Sequence, residues 1–259
     1  MYNIISGWNR SGTSALMLAL KQSGIPIIGF KYPVVFIATD ENKKEIKIDG
    51  GMLIPSKDKE EANPMGFWEV SSIALEEGLK NKHKQYGIDG DLIKVPLNAL
   101  PLSDPEMVDN VIIITRDPRT VIASQIKANN IKDIKGWIKV SGLGLIHNMI
   151  ASLVWLKQNK KKYTRVRYED LIEKPGDVLD KICDVLKRGD YIWGEEIINS
   201  KLNRQKPIED KCAEIDELER FYENIEMHYK EYDLNQLQKR IEKLSKKYKV
   251  NIEKARIEQ

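Results

Sequence analysis

The chain has 259 residues, 41% of them hydrophobic and 31% charged, enough for one sizeable α/β domain with a full core over residues 1–259. Its 42 basic and 39 acidic side chains leave a formal charge of +3, which is too balanced to point to nucleic acid. Cys183, Cys212, His83, His147 and His228 lack disulfide-framework or metal-ligand spacing, and no run approaches the roughly 20 apolar residues of a membrane span. A strand starting at residue 2 leaves no room for a signal peptide, so the expectation is a cytoplasmic protein with no metal, nucleic-acid partner or membrane span.

Residues 2–24, YNIISGWNRSGTSALMLALKQSG, read as a strand, a glycine loop and a helix. Tyr2 to Ile5 are β-prone, and Gly7 and Gly12 bracket a turn. Leu16, Ala19 and Leu20 recur at helical spacing before Gly24 and Pro26 end the helix. Such a loop aims backbone N–H groups and a helix dipole at phosphate-like oxygens. It nearly matches GxxxxGK[ST]: Ser14 fills the hydroxyl slot, but Thr13 stands where the lysine of nucleotide-triphosphate enzymes belongs, and the cation is Arg10. SGWNRSGTSAL resembles the 5′-phosphosulfate loop of the sulfotransferases, whose donor is 3′-phosphoadenosine 5′-phosphosulfate (PAPS). That resemblance assigns Gly7, Asn9, Arg10, Ser11, Gly12, Thr13 and Ser14 to the donor's phosphosulfate. The family usually has lysine at the Arg10 position; arginine keeps the charge and changes the hydrogen-bond geometry.

Ile25 to Phe30 predict a second strand, parallel to the first after a right-handed crossover. VVFIATD and EIKID flank the polar turn 41–44, which predicts a β-hairpin or ordered flap; residues 31–62 are either a lid or a decoration. NPMGFWEV, residues 63–70, marks a turn with Glu69 opening a helix. It resembles the NPxGFxE turn of some bacterial and glycan sulfotransferases, which makes Glu69 a candidate catalytic base; the alternative is a plain N-terminal helix acid. DLIKV, residues 91–95, predicts a strand with Lys94 near its C-terminal end, where open α/β sheets bind ligands. LIKVPLNALP resembles the K-T-H-L-P stretch of cytosolic sulfotransferases; the lysine is present as Lys94 and the histidine has no counterpart.

VIIITRDPRTVIAS, residues 111–124, gives a strand buried on both faces, then a helix capped by Asp117 with Pro118 in its first position. Arg116 and Ser124 can then approach one anion together. This matches the sulfotransferase 3′-phosphate motif, which implies that these two residues distinguish PAPS from ATP. A largely buried helix follows from Trp137 to Leu156, then a strand at Tyr163 to Tyr168 and a helix carrying Val178, Leu179, Ile182 and Leu186. VRYEDLIEKP is similar to the YEDL stretch of many sulfotransferases, which places Tyr168 near the adenine. INSKLNRQKP reads as a loop with the cations Lys201, Arg204 and Lys206; the family resemblance, in which a basic loop here folds over the nucleotide, makes Arg204 and Lys206 candidate nucleotide contacts, and the alternative is an exposed connector. The C-terminal part, 213–259, reads as two helices, the last capped by Asp233 and carrying a stripe of Leu234, Leu237, Ile241, Leu244 and Tyr248 that either docks on its own domain or joins two copies.

The whole predicts a three-layer α/β/α fold with a mostly parallel central sheet, P-loop nucleotide-hydrolase-like. The expected activity is sulfuryl transfer from PAPS to a hydroxyl or amine of a glycan or small-molecule acceptor. Arg10, Glu69 and Lys94 are the catalytic candidates. A kinase or NTPase with an unusual loop, and a non-catalytic nucleotide-binding module, are the alternatives.

Overall fold

The computed structural model describes residues 2–28, 36–39, 45–48, 92–188, 194–198, 206–209, 213–240, 242–243 and 246. Its centre is a five-stranded sheet in the order β2-β5-β1-β6-β7, built from β1 (Tyr2–Gly7), β2 (Ile27–Ile28), β5 (Leu92–Pro96), β6 (Val108–Thr115) and β7 (Tyr163–Arg167), with every pairing parallel. The expected hairpin forms separately as antiparallel β3 (Phe36–Thr39) and β4 (Glu45–Ile48). Around the sheet lie α1 (Thr13–Gln22), α2 (Pro118–Ala128), α3 (Ile134–Gln158), α4 (Tyr168–Glu173), α5 (Pro175–Leu186), α6 (Ala213–Glu223) and α7 (Ile225–Glu231).

The two-residue period of the strands divides the core in two. Ile4, Ile93, Val95, Val111 and Ile113 pack with α2, α3 and α6 on one face. Ile5, Leu92, Ile112 and Ile114 pack with α1, α4 and α5 on the other. A strand covered on both faces needs no polar alternation, which is why the run Val111 to Ile114 is apolar throughout. The three-layer reading is therefore what forms.

Chain order and strand order diverge at β1. From it the chain winds through α1 to β2 and later β5 on one side, and β6 and β7 extend the sheet on the other. The register puts Gly7 opposite Pro96 and Ile114, so β1, β5 and β6 end together and open a crevice at the switch point. Strand β2 is parallel as expected, starts at Ile27 rather than Ile25, and pairs with β5, which lies between it and β1.

Two expectations need correction. Helix α3, 25 residues long, is long and apolar enough to cross a membrane by length and composition, contrary to the reading that no run qualifies. Here its Leu143, Ile146, Ile150 and Leu153 are fully buried in the core beside Ile4 and Ile113. The C-terminal part holds three described helical stretches, α6, α7 and 234–240, where two were expected. The unforeseen break falls at Asn224, whose side-chain amide donates back to the Arg220 carbonyl at 2.7 Å, a local bond that competes with helix continuation. Asp233 does cap the last stretch: its carboxylate accepts the Gln236 N–H at 2.8 Å while Gln236 accepts the Asp233 N–H at 3.0 Å. Of the apolar stripe, Leu237 is buried in the shared core and Leu234 packs against it, while the side chains of Ile241, Leu244 and Tyr248 lie outside the described residues.

His228 of α7 is buried, stacked on Phe221 at 4.6 Å and tilted against Tyr232 at 5.0 Å. Burial, with the nearby Arg240 charge, pushes its pKa down to about 4. Below pH 6.5 the unfolded chain takes up a proton that the native chain refuses until about pH 4, so the native state loses stability across that window. In His228→Gln the stability-versus-pH curve is expected to lose up to about 1.4 kcal/mol of slope per pH unit between those limits. Urea melts of both proteins from pH 4 to 7.5 read this directly, and parallel curves sink it.

Candidate active site

The loop between β1 and α1 is pinned at one end by Trp8. Its buried indole N–H donates to the Leu145 carbonyl on α3 at 3.1 Å, and its ring lies 6.3 Å from that of Tyr222. The Ser11 N–H then closes a turn onto the Trp8 carbonyl at 3.0 Å, with Arg10 and Gly12 in left-handed backbone, φ 75° and 98°. Both bracketing glycines are dictated by close approach. A Cβ on Gly7 would stand 2.6 Å from the Ile114 carbonyl oxygen, and one on Gly12 would stand 2.2 Å from the Tyr168 ring. Helix α1 opens directly from Gly12 with no side-chain cap and no acid in its first turn, so its first N–H groups and positive dipole end face the loop. The Ser11 hydroxyl is fully buried there and has no hydrogen-bond partner among the described residues.

Three cations converge on this anion-seeking turn. Lys94 sits on the α1 side of β5, is only 4% exposed, and donates from Nζ to the Ser14 hydroxyl at 3.0 Å. Its alternative, a strand lysine pointing to solvent, is not what the structure has. Arg116, just past β6 and 6% exposed, donates from Nη1 to the Arg10 carbonyl at 3.2 Å and lies over the Tyr168 ring at 4.2 Å. Burial lowers its pKa, and Tyr168, Glu169 and Asp117 pull it back. A guanidinium stays charged through such a shift. Arg10 in turn donates from Nε to the Ser124 hydroxyl at 3.0 Å. The two sequence motifs therefore meet at residue 10.

The turn carrying Arg116 is itself clamped. Asp117 caps α2 by accepting the Arg119 N–H at 2.8 Å, as its position predicts. Its own N–H donates to Glu169 Oε1 at 2.7 Å, and Glu169 Oε2 accepts the Tyr222 hydroxyl at 3.0 Å. Burial and the Glu169 charge push the Tyr222 pKa up, so it stays a protonated donor. Among the described residues no three His, Cys, Asp or Glu side chains cluster to hold a metal ion.

A family model described as the sulfotransferase domain matches residues 3–200, most of the chain. The chain belongs to that sulfotransferase domain family. Similar solved structures include the sulfotransferase domain from the curacin biosynthetic pathway, at 18% identity over 94% of this chain and 97% of that one, TM-score 0.38. The sulfotransferase domain from the Synechococcus PCC 7002 olefin synthase aligns at 14% identity over 86% and 94%, TM-score 0.41. Retinol dehydratase in complex with androsterone and inactive cofactor PAP aligns at 13% identity over 95% and 80%, TM-score 0.40. No individual curated protein matches the sequence significantly.

Within this sulfotransferase domain, Gly7, Arg10, Ser11, Gly12, Thr13, Ser14, Lys94, Arg116, Ser124 and Tyr168 gather at the C-terminal ends of the strands. Asn9 is exposed, with its carbonyl accepting from Gln125 at 3.5 Å. Tyr168 opens α4, one residue beyond the strand expected to include it, and its buried ring lies against Gly12 and Arg116. Glu69 and Arg204 fall outside the described residues, and Lys206 is exposed. Trp8, Glu169 and Tyr222 were not singled out as site residues. Glu169 had a signal in its place after Tyr168, whereas Tyr222 shows only amphipathic periodicity.

Gly12→Ala drives a methyl group into Tyr168 at a left-handed φ, while Gly24→Ala, at φ 79°, meets nothing within 4 Å. The Gly24 variant is expected to lose about 1–2 kcal/mol of stability from backbone strain alone. Gly12→Ala is expected to lose more and to lose anion affinity as well, read by urea denaturation and phosphate titration; equal losses would show that the Tyr168 contact yields freely.

Proposed function

We propose that this chain transfers the sulfuryl group of PAPS to a hydroxyl or amine of a glycan or small-molecule acceptor. The observation that carries the reading is the meeting of Arg116 and Ser124 with the glycine loop through Arg10, because it sets two anion-binding groups side by side at the switch point. The residues present fit a nucleotide with phosphate at two positions. The cradle at 7–14 has close-approach glycines, a buried Ser11 hydroxyl and an uncapped helix end, and Arg116 and Ser124 form the second site. The absence of lysine at Thr13 fits a donor other than a nucleoside triphosphate.

PAPS, when bound, supplies an activated sulfuryl group. The chain's own part is electrostatic and positional. Gly7 to Ser14 hold the phosphosulfate end, and Arg116 with Ser124 hold the 3′-phosphate. Lys94 and Arg10 neutralise negative charge that grows on the departing oxygen; Lys94 is kept in place by its bond to Ser14. Glu69, assigned from the NPMGFWE resemblance, takes the acceptor's proton.

Calorimetric titration with adenosine 3′,5′-bisphosphate, ADP and ATP, each with and without magnesium, tests the donor. Preference for the bisphosphate, reduced about tenfold or more in Arg116→Ala, is expected. Preference for ATP with magnesium would overturn the reading. Glu69→Gln is expected to abolish transfer from labelled PAPS to any acceptor that the wild type accepts, with bisphosphate affinity nearly intact; undiminished transfer removes Glu69 from the mechanism.

A further inference from the structure

We infer that Tyr222 is a positioning residue for the second anion site: through its hydroxyl and its backbone it fixes both chain neighbours of Arg116, and so sets how tightly the nucleotide's second phosphate is held. The inference rests on the PAPS reading for the identity of that phosphate. It goes beyond that reading, since Tyr222 lies on α6, outside the residues 3–200 that match the family model.

Arg116 stands between Thr115, the last residue of β6, and Asp117, the cap of α2. The Asp117 N–H belongs to the rigid peptide plane that joins it to Arg116, and it donates to Glu169 Oε1 at 2.7 Å. The Glu169 side chain is 33% exposed, and a carboxylate that open to water keeps one orientation when both of its oxygens are held. The second oxygen accepts the Tyr222 hydroxyl at 3.0 Å, with Arg167 Nε farther off at 4.0 Å. On the other side of Arg116, the Thr115 hydroxyl accepts Arg165 Nε at 3.1 Å, and Arg165 Nη2 donates to the Tyr222 carbonyl at 3.0 Å. The Arg165 guanidinium carbon also lies 5.0 Å from the centre of the Tyr222 ring. The residue before Arg116 and the residue after it therefore both lead to Tyr222. Packing does not ask for the hydroxyl: Tyr222 is 7% exposed in the core beside Leu218 and Phe221, a place that phenylalanine would fill. A guanidinium whose backbone is held before the ligand arrives loses less freedom on binding, and affinity for the phosphate rises by that difference.

The test compares adenosine 3′,5′-bisphosphate with adenosine 5′-monophosphate by calorimetry on wild type, Tyr222→Phe, Glu169→Ala, the double variant, Arg116→Ala and Ile215→Val. Tyr222→Phe keeps the ring and every charge. It is expected to weaken the bisphosphate about three- to tenfold while holding the monophosphate within about twofold of wild type. In the Glu169→Ala background the same change is expected to add little, the non-additivity of residues that act through one another. Ile215→Val trims the buried packing of α6 away from these bonds, and is expected to lower the urea midpoint while leaving the preference intact. Undiminished preference in Tyr222→Phe, a full further loss in the double variant, or the same loss in Ile215→Val overturns the inference, and the donor reading stands as long as Arg116→Ala loses the preference. A wild type that does not distinguish the two nucleotides overturns both.

Discussion

The parallel pairing of β1 with β6 is the constraint on which the site depends. It sets Gly7 against the Ile114 carbonyl so tightly that no side chain fits between them. The loop after β1 and the turn after β6 therefore leave the sheet as neighbours, and a single hydrogen bond from Arg116 to the Arg10 carbonyl suffices to join them. Neither loop has the length to find the other without that pairing. The strand that supplies Lys94 is fixed by the same logic on the opposite side, with Pro96 in register with Gly7.

Charge in this crevice is balanced at a distance. The cations Arg10, Lys94 and Arg116 line the loop, while the carboxylates of Asp117 and Glu169 are turned to backbone N–H groups and the Tyr222 hydroxyl. Glu169 Oε2 also lies 4.0 Å from Arg167 Nε, so that carboxylate bridges the Asp117 turn, the Tyr222 hydroxyl and a cation at the end of β7. Its field still favours the charged form of Arg116 against the cost of burial. Tyr168 contributes in a similar way, offering a ring face to the guanidinium and an edge to Gly12.

Much of this was legible in the sequence where short-range rules apply. The strand-loop-helix of residues 2–24, the double-sided burial of Val111 to Ile114, the Asp117 cap and the helical pattern at Leu179, Ile182 and Leu186 each follow from local periodicity or capping chemistry. The grouping of Arg10, Lys94, Arg116 and Ser124 rests instead on the resemblance of their motifs to one family, and topology brings them together because strand ends in a parallel sheet lie side by side. What stayed hidden is long-range or local-competitive. Tyr222 reaches Glu169 from a helix whose sequence shows only an apolar stripe. The break at Asn224 leaves that stripe's spacing undisturbed, and the insertion of β5 beside β1 has no local signature.

The share of the core built by the C-terminal helices bears on how the chain is made. Ile215, Leu218, Phe221, Ile225 and Leu237 lie in the same buried cluster as Ile4 and Ile113. During synthesis β1, β5 and β6 are all present once Thr115 has emerged, and α2 and α3 can cover part of that face by residue 158, yet its cluster is not complete until residue 237 has left the ribosome. Until then the nascent core carries an incompletely covered apolar face, the kind of surface that chaperones bind and that drives premature association. The helices outside the matched span therefore set the moment at which this fold can close.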